Sequence, residues 1–72
     1  MKDYHLTITD NYITVNRQRL NLYEAIQWAK KNCPHYITND YHRKDEYDLI
    51  DFFFIDTDQA RKEMMWFILR WS

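Results

Sequence analysis

The chain has no glycine, one proline and one cysteine in 72 residues. Without glycine, every turn that needs a positive φ falls to asparagine or aspartate, the next most tolerant residues. The glycine-rich loops that cradle phosphates are excluded as well. A single cysteine cannot form an intrachain disulfide, and it points to a reducing compartment. Long hydrophobic runs are also missing. The longest uncharged apolar stretch, Met64 to Leu69, is far short of the roughly 20 residues that a membrane span needs. Met1-Lys2-Asp3-Tyr4-His5 lacks the apolar core of a signal peptide. A soluble cytoplasmic protein without a membrane partner is expected.

What the chain has in quantity is aromatic weight. Phe, Trp and Tyr make up 18% of it, and each buried ring removes a large area from water. A chain of this length forms one domain, here residues 1–72, and buries only about 60% of its unfolded surface. Scarce alanine and proline beside abundant Asn, Asp, Lys, Ile, Tyr and Phe fit an AT-rich genome. The net charge of −1 is unevenly spread. From Asp40 to Asp58, seven acidic side chains stand against Arg43 and Lys44, so this segment repels phosphate.

Period-two alternation marks strands at residues 4–9 (YHLTIT) and 12–16 (YITVN), with Ile13 and Val15 inward. Asp10-Asn11 between them fits a two-residue hairpin turn. Asn21 opens a helix as its N-cap, with Glu24 completing a capping box. Leu22, Ala25, Ile26 and Ala29 share one face of this helix, and Pro34 ends it near Asn32. A short strand follows at 35–38 (HYIT), then a polar connection at 39–47 (NDYHRKDEY). In the stretch DLIDFFFIDTD, residues 48–58, a strand at 48–55 puts Ile50, Phe52 and Phe54 on a core face. Leu49, Asp51, Phe53 and Ile55 lie on a mixed one. Asp56 or Thr57 caps a last helix whose inner stripe is Ala60, Met64, Phe67, Ile68 and Trp71. The order ββαββα predicts an α+β fold, an antiparallel four-stranded sheet with two helices packed on one face.

No catalytic, metal or cofactor constellation emerges from these residues. Cys33, His35, Asp40 and His42 match no zinc-ligand spacing. Cys33 closes the apolar face of the first helix and reads as a buried structural thiol, unlike the exposed, electropositive setting of a reactive one. Asp48 and Asp51 are a carboxylate pair that nothing encloses. A non-catalytic binding protein is therefore expected. The acidic, aromatic segment offers Tyr41, Asp45, Glu46, Tyr47, Asp48 and Asp51 to a basic protein surface. Trp66 and Leu69 fall off the inner stripe of the last helix. With Phe53 and Ile55 they are the candidates for self-association into a homodimer. The alternative is a nucleic-acid-binding module using Arg17 and Arg19, with Tyr4, His5 and Tyr12 as a stacking surface. The acidic second half speaks against it.

The closing stretch FFFIDTDQARKEMMWFILRW resembles the endings of small proteins of tailed bacteriophages. In those, an aromatic strand, an acidic turn, an alanine and an aromatic-x-Leu-Arg-Trp tail recur. The matching positions are Phe52, Phe54, Asp56, Asp58, Ala60, Phe67, Leu69, Arg70 and Trp71, within the C-terminal third of the chain. The resemblance carries no activity. It implies a small phage accessory or early protein acting in the host cytoplasm. Such proteins often bind and inhibit one host protein, as anti-CRISPR and other anti-defence proteins do.

Overall fold

The computed structural model describes residues 6–71, with the backbone alone for Arg19. The elements are β1 (Thr7–Thr9), β2 (Tyr12–Asn16), a short 3-10 turn (Arg17–Arg19), α1 (Leu22–Asn32), β3 (Tyr36–Lys44), β4 (Tyr47–Phe54) and α2 (Asp58–Trp71). The strands form one sheet in the order β1-β2-β4-β3. All three pairings are antiparallel. The expected α+β fold is thus present, with both helices on one face of the sheet. Among the described residues, no helix is long and apolar enough to cross a membrane.

Both helices start where a polar side chain replaces the missing turn of hydrogen bonds. The Glu24 amide donates to Asn21 Oδ1 at 3.1 Å. The Ala60 amide donates to Thr57 Oγ1 at 3.1 Å, so Thr57 rather than Asp56 caps α2. Asp56 and Asp58 instead share the guanidinium of Arg61. Ile13, Val15, Ile50, Phe52 and Phe54 are buried on the inner face of the sheet, against Ala25 and Ala29 of α1 and Ala60, Met64 and Phe67 of α2. The three alanines let the helices approach closely. The Phe67 ring fills the space between layers, with ring centroids 4.8 Å from Phe52 and 6.0 Å from Trp28. Ile68 and Trp71 pack at the margin of this core.

The polar stretch 39–47 differs from expectation. It is no loose connection but the greater part of β3, the turn Asp45-Glu46 and the first residue of β4. Tyr41 pairs with Ile50, His42 with Leu49, Arg43 with Asp48 and Lys44 with Tyr47. An edge strand shares one side with its neighbour and leaves the other to water, so backbone pairing holds it without an apolar stripe. Its polar residues are the charged edge that discourages pairing with other chains. A bulge at its start leaves Ile37 between the paired Tyr36 and Thr38.

The lack of glycine is met at a cost. Among the described residues, positive φ values fall at Leu6 (58°), Asp10 (44°), Asp45 (52°) and Glu46 (69°). Aspartate takes two of the four, as expected, but Leu6 and Glu46 take the others. Both central residues of the β3–β4 turn are left-handed, which a two-residue type I′ hairpin requires. Asn11 stays out of that region, and its side-chain Nδ2 instead donates to the Phe54 carbonyl at 2.8 Å.

Two substitutions test this account. Glu46→Gly removes the Cβ clash of a left-handed glutamate and should raise stability by roughly 0.5–1 kcal/mol, read as a higher urea midpoint. Phe67→Ala should cost ~3–5 kcal/mol. That equals the ~3–5 kcal/mol available to a core of this size, so the cooperative unfolding transition should disappear.

Candidate functional site

Because side chains alternate across a strand, the residues between the core positions line the sheet's other face. No described helix covers it. β2 contributes Tyr12, Thr14 and Asn16, paired in register with Phe53, Asp51 and Leu49 of β4. β1 extends the rows with Thr9 beside Tyr12 and Thr7 beside Thr14. β3 adds Asp40 beside Asp51 and His42 beside Leu49. The face mixes aromatic rings, hydroxyls and carboxylates.

At its centre stands Asp51. Its Oδ1 accepts from Thr14 Oγ1 at 2.6 Å and lies 3.0 Å from His42 Nε2. A carboxylate only accepts, so Nε2 carries the hydrogen. Only 15% of the Asp51 side chain is exposed. Beside it, the Tyr12 and Phe53 rings meet at 5.1 Å with their planes tilted by 39°, which holds both rings in place. Thr7, Thr9, Tyr12, Thr14, His42, Lys44, Leu49 and Asp51 bound a depression of about 290 Å³. Its floor is the buried pair Thr14 and Leu49. Chemically the depression offers hydroxyls, a carboxylate and aromatic rings side by side. The Asp51–His42 pair orients an imidazole, but Thr14 donates its proton to the carboxylate and is not positioned as a nucleophile.

The residues expected to bind a partner are divided by the hairpin. Tyr47 and Asp51 lie on the helix-free face, Asp45 and Glu46 form the turn, and Tyr41 and Asp48 lie on the opposite side. Several of their charges are engaged within the chain. Arg43 stands 3.6 Å from Asp48, and Arg17 stacks over the Tyr41 ring at 4.7 Å. Asp56 and Asp58, counted in the acidic excess, sit at the start of α2 with Arg61. The self-association candidates are divided as well. Phe53 belongs with Tyr12 on the helix-free face, and Ile55 follows the end of β4. Trp66 (48% exposed) and Leu69 (75%) lie on the outer side of α2, beyond the sheet. Arg17 and Tyr12 occupy opposite sides of the sheet. Tyr4, His5 and the Arg19 side chain lie outside the described residues.

A second polar cluster lies in the core, and its key residue was not read from the sequence. Glu63 is a carboxylate with a side chain only 1% exposed. Its Oε1 accepts from the His35 amide at 2.8 Å, and its Oε2 accepts from His35 Nδ1 at 2.5 Å. Cys33 Sγ–H points to the Glu63 carbonyl at 3.9 Å. Burial first, and then the Glu63 charge, push the Cys33 thiol up from 9.0 to about 11. Cys33 is therefore a buried thiol that stays protonated at neutral pH, as its position at the end of α1 implies. Burial, and then Tyr41, raise Tyr36 as well. Its hydroxyl donates to Asn39 Oδ1 at 2.6 Å. Among the described residues, no group of three or more His, Cys, Asp or Glu side chains could hold a metal ion. The available signal for Glu63 was its place at helical spacing between Ala60 and Phe67, inside the core stripe.

The cluster makes two predictions. Glu63→Ala strands the His35 amide and should cost about 2–3 kcal/mol in urea unfolding. Glu63→Gln keeps a partner for both groups and should cost less. A raised acid pKa favours the protonated native state, so the Cys33 contribution is full below pH 9 and is lost as pH rises towards 11. Tyr36 acts in the same direction. Stability measured from pH 8 to 11 should fall, and less steeply in Cys33→Ala.

Compared with protein-family models, curated proteins and solved structures, the chain finds no match in any of the three.

Proposed function

We propose that this protein is a non-catalytic protein-binding module that docks a basic partner on the helix-free face of its sheet. One observation carries the reading. The Tyr12–Phe53 ring pair lies beside Asp51 on a face that no described helix covers, while the main core cluster lies on the other. Interlocked rings are pre-ordered, so they lose little entropy on binding, and aromatic residues of this kind supply most interface energy. Asp40 and Asp51, with Asp45 and Glu46 at the hairpin turn, give the face its sign. They steer a basic surface over ~8 Å at physiological salt. The partner class follows from the phage resemblance: a host protein, inhibited by occupation of a basic surface, as anti-defence proteins act.

The test is capture from bacterial lysate by immobilised protein. Wild type should retain one protein with a basic surface, and raised salt should release it. Phe53→Ala should lose at least tenfold of this retention, because ring anchors contribute ~2 kcal/mol or more each. Asp45→Lys with Glu46→Lys should slow association and flatten its salt dependence. Retention of nucleic acid alone, or equal capture by Phe53→Ala, would overturn the reading.

A further inference from the structure

We propose that the Tyr12–Asp51 end of the depression receives an arginine side chain of the docked partner. The inference rests on the docking reading above and specifies its chemistry. Asp51 has little contact with water, since 15% of its side chain is exposed. Both of its hydrogen bonds within the described chain are made at Oδ1, from Thr14 and His42. Oδ2 receives none from the described residues, so a carboxylate oxygen is left for an incoming donor. Asp40 stands directly across from Asp51 on β3 and strengthens the demand for a cation.

The surroundings favour a guanidinium over an ammonium. The hydroxyls of Thr7, Thr9 and Thr14 line the same depression and offer acceptors spread over two strands. A planar fork of five donors can satisfy several acceptors at once, whereas an ammonium is a compact point charge. Tyr12 adds a ring wall, fixed by Phe53 at 5.1 Å, on which a guanidinium can stack. The volume of about 290 Å³ is that of roughly ten waters, room for one side chain rather than a helix. Lys44 also lines the depression, and its backbone pairs with Tyr47, away from Asp51. It is four residues along β3 from Asp40, or ~13 Å of backbone at strand spacing.

The test titrates isotope-labelled protein with N-acetyl-arginine methylamide, and separately with N-acetyl-lysine methylamide, following backbone amide resonances. The arginine probe should shift Thr7, Tyr12, Thr14 and Asp51, and the lysine probe should bind at least fivefold more weakly. Asp51→Asn keeps the oxygen that Thr14 and His42 use and removes the charge. It should weaken the arginine probe at least tenfold while leaving the thermal unfolding profile cooperative. Shifts centred on Asp45, Glu46, Asp56 and Asp58, or an Asp51→Asn titration equal to wild type, would overturn the inference. Partner capture separates the two readings. Capture lost in Phe53→Ala but undiminished in Asp51→Asn would remove the arginine and leave the docking face standing. Capture unchanged in both would remove both.

Discussion

Burial of Ile13, Val15, Ile50, Phe52 and Phe54 beneath α1 and α2 is the interaction on which the rest of this molecule depends. Among the described residues there are two α-helices, and both are spent on one face of a four-stranded sheet. No described helix covers the other face, and its character is decided mainly by residues outside the core cluster. Ring contacts centred on Phe67 tie α2 to β4 and to α1. The core therefore gains area from a few large side chains where a larger domain would use many smaller ones.

The same packing tolerates one costly group. Glu63 lies in the inner stripe of α2, where a leucine would be expected. Its two oxygens are matched by the amide and the imidazole of His35. A buried carboxylate is weak evidence of net stabilisation, but each of its oxygens needs a partner. This contact fixes where the chain leaving α1 meets the last helix, and so sets the position from which β3 begins. Cys33 beside it is kept as a protonated, packed thiol by the same burial. The cluster is buried, and the proposed docking chemistry lies on the opposite face. There Asp51, Thr14 and His42 come from three different strands.

Much of the fold was legible because local physics and global packing agree. Alternation at 12–16 and 50–54 named the buried strand residues. Asn21 and Pro34 bounded α1, and the stripe through Ala60, Met64 and Phe67 gave the inner face of α2. Residues 39–47 were misread because an edge strand needs no apolar period. Its order comes from backbone pairing with β4 and from a turn built on Asp45 and Glu46. The latter is a residue that left-handed statistics disfavour. Leu49 was read on a half-exposed surface, and it is buried as the floor of a depression.

Of the candidate site, the sequence showed that acidic and aromatic residues are concentrated between Asp40 and Asp58, because composition is a local property. It could not show that this concentration would be divided. Hairpin pairing sends Tyr41 and Asp48 to one side and Tyr47 and Asp51 to the other. The pairing of β2 with β4 brings Phe53 to Tyr12, 41 positions away in the chain. By itself the sequence determined which segments are strands and helices at the core, through periodicity and caps. Which polar groups meet, Asp51 with Thr14 and His42, or Glu63 with His35, was decided only by strand register and helix docking. Those contacts join residues whose separation along the chain carries no signal of their approach.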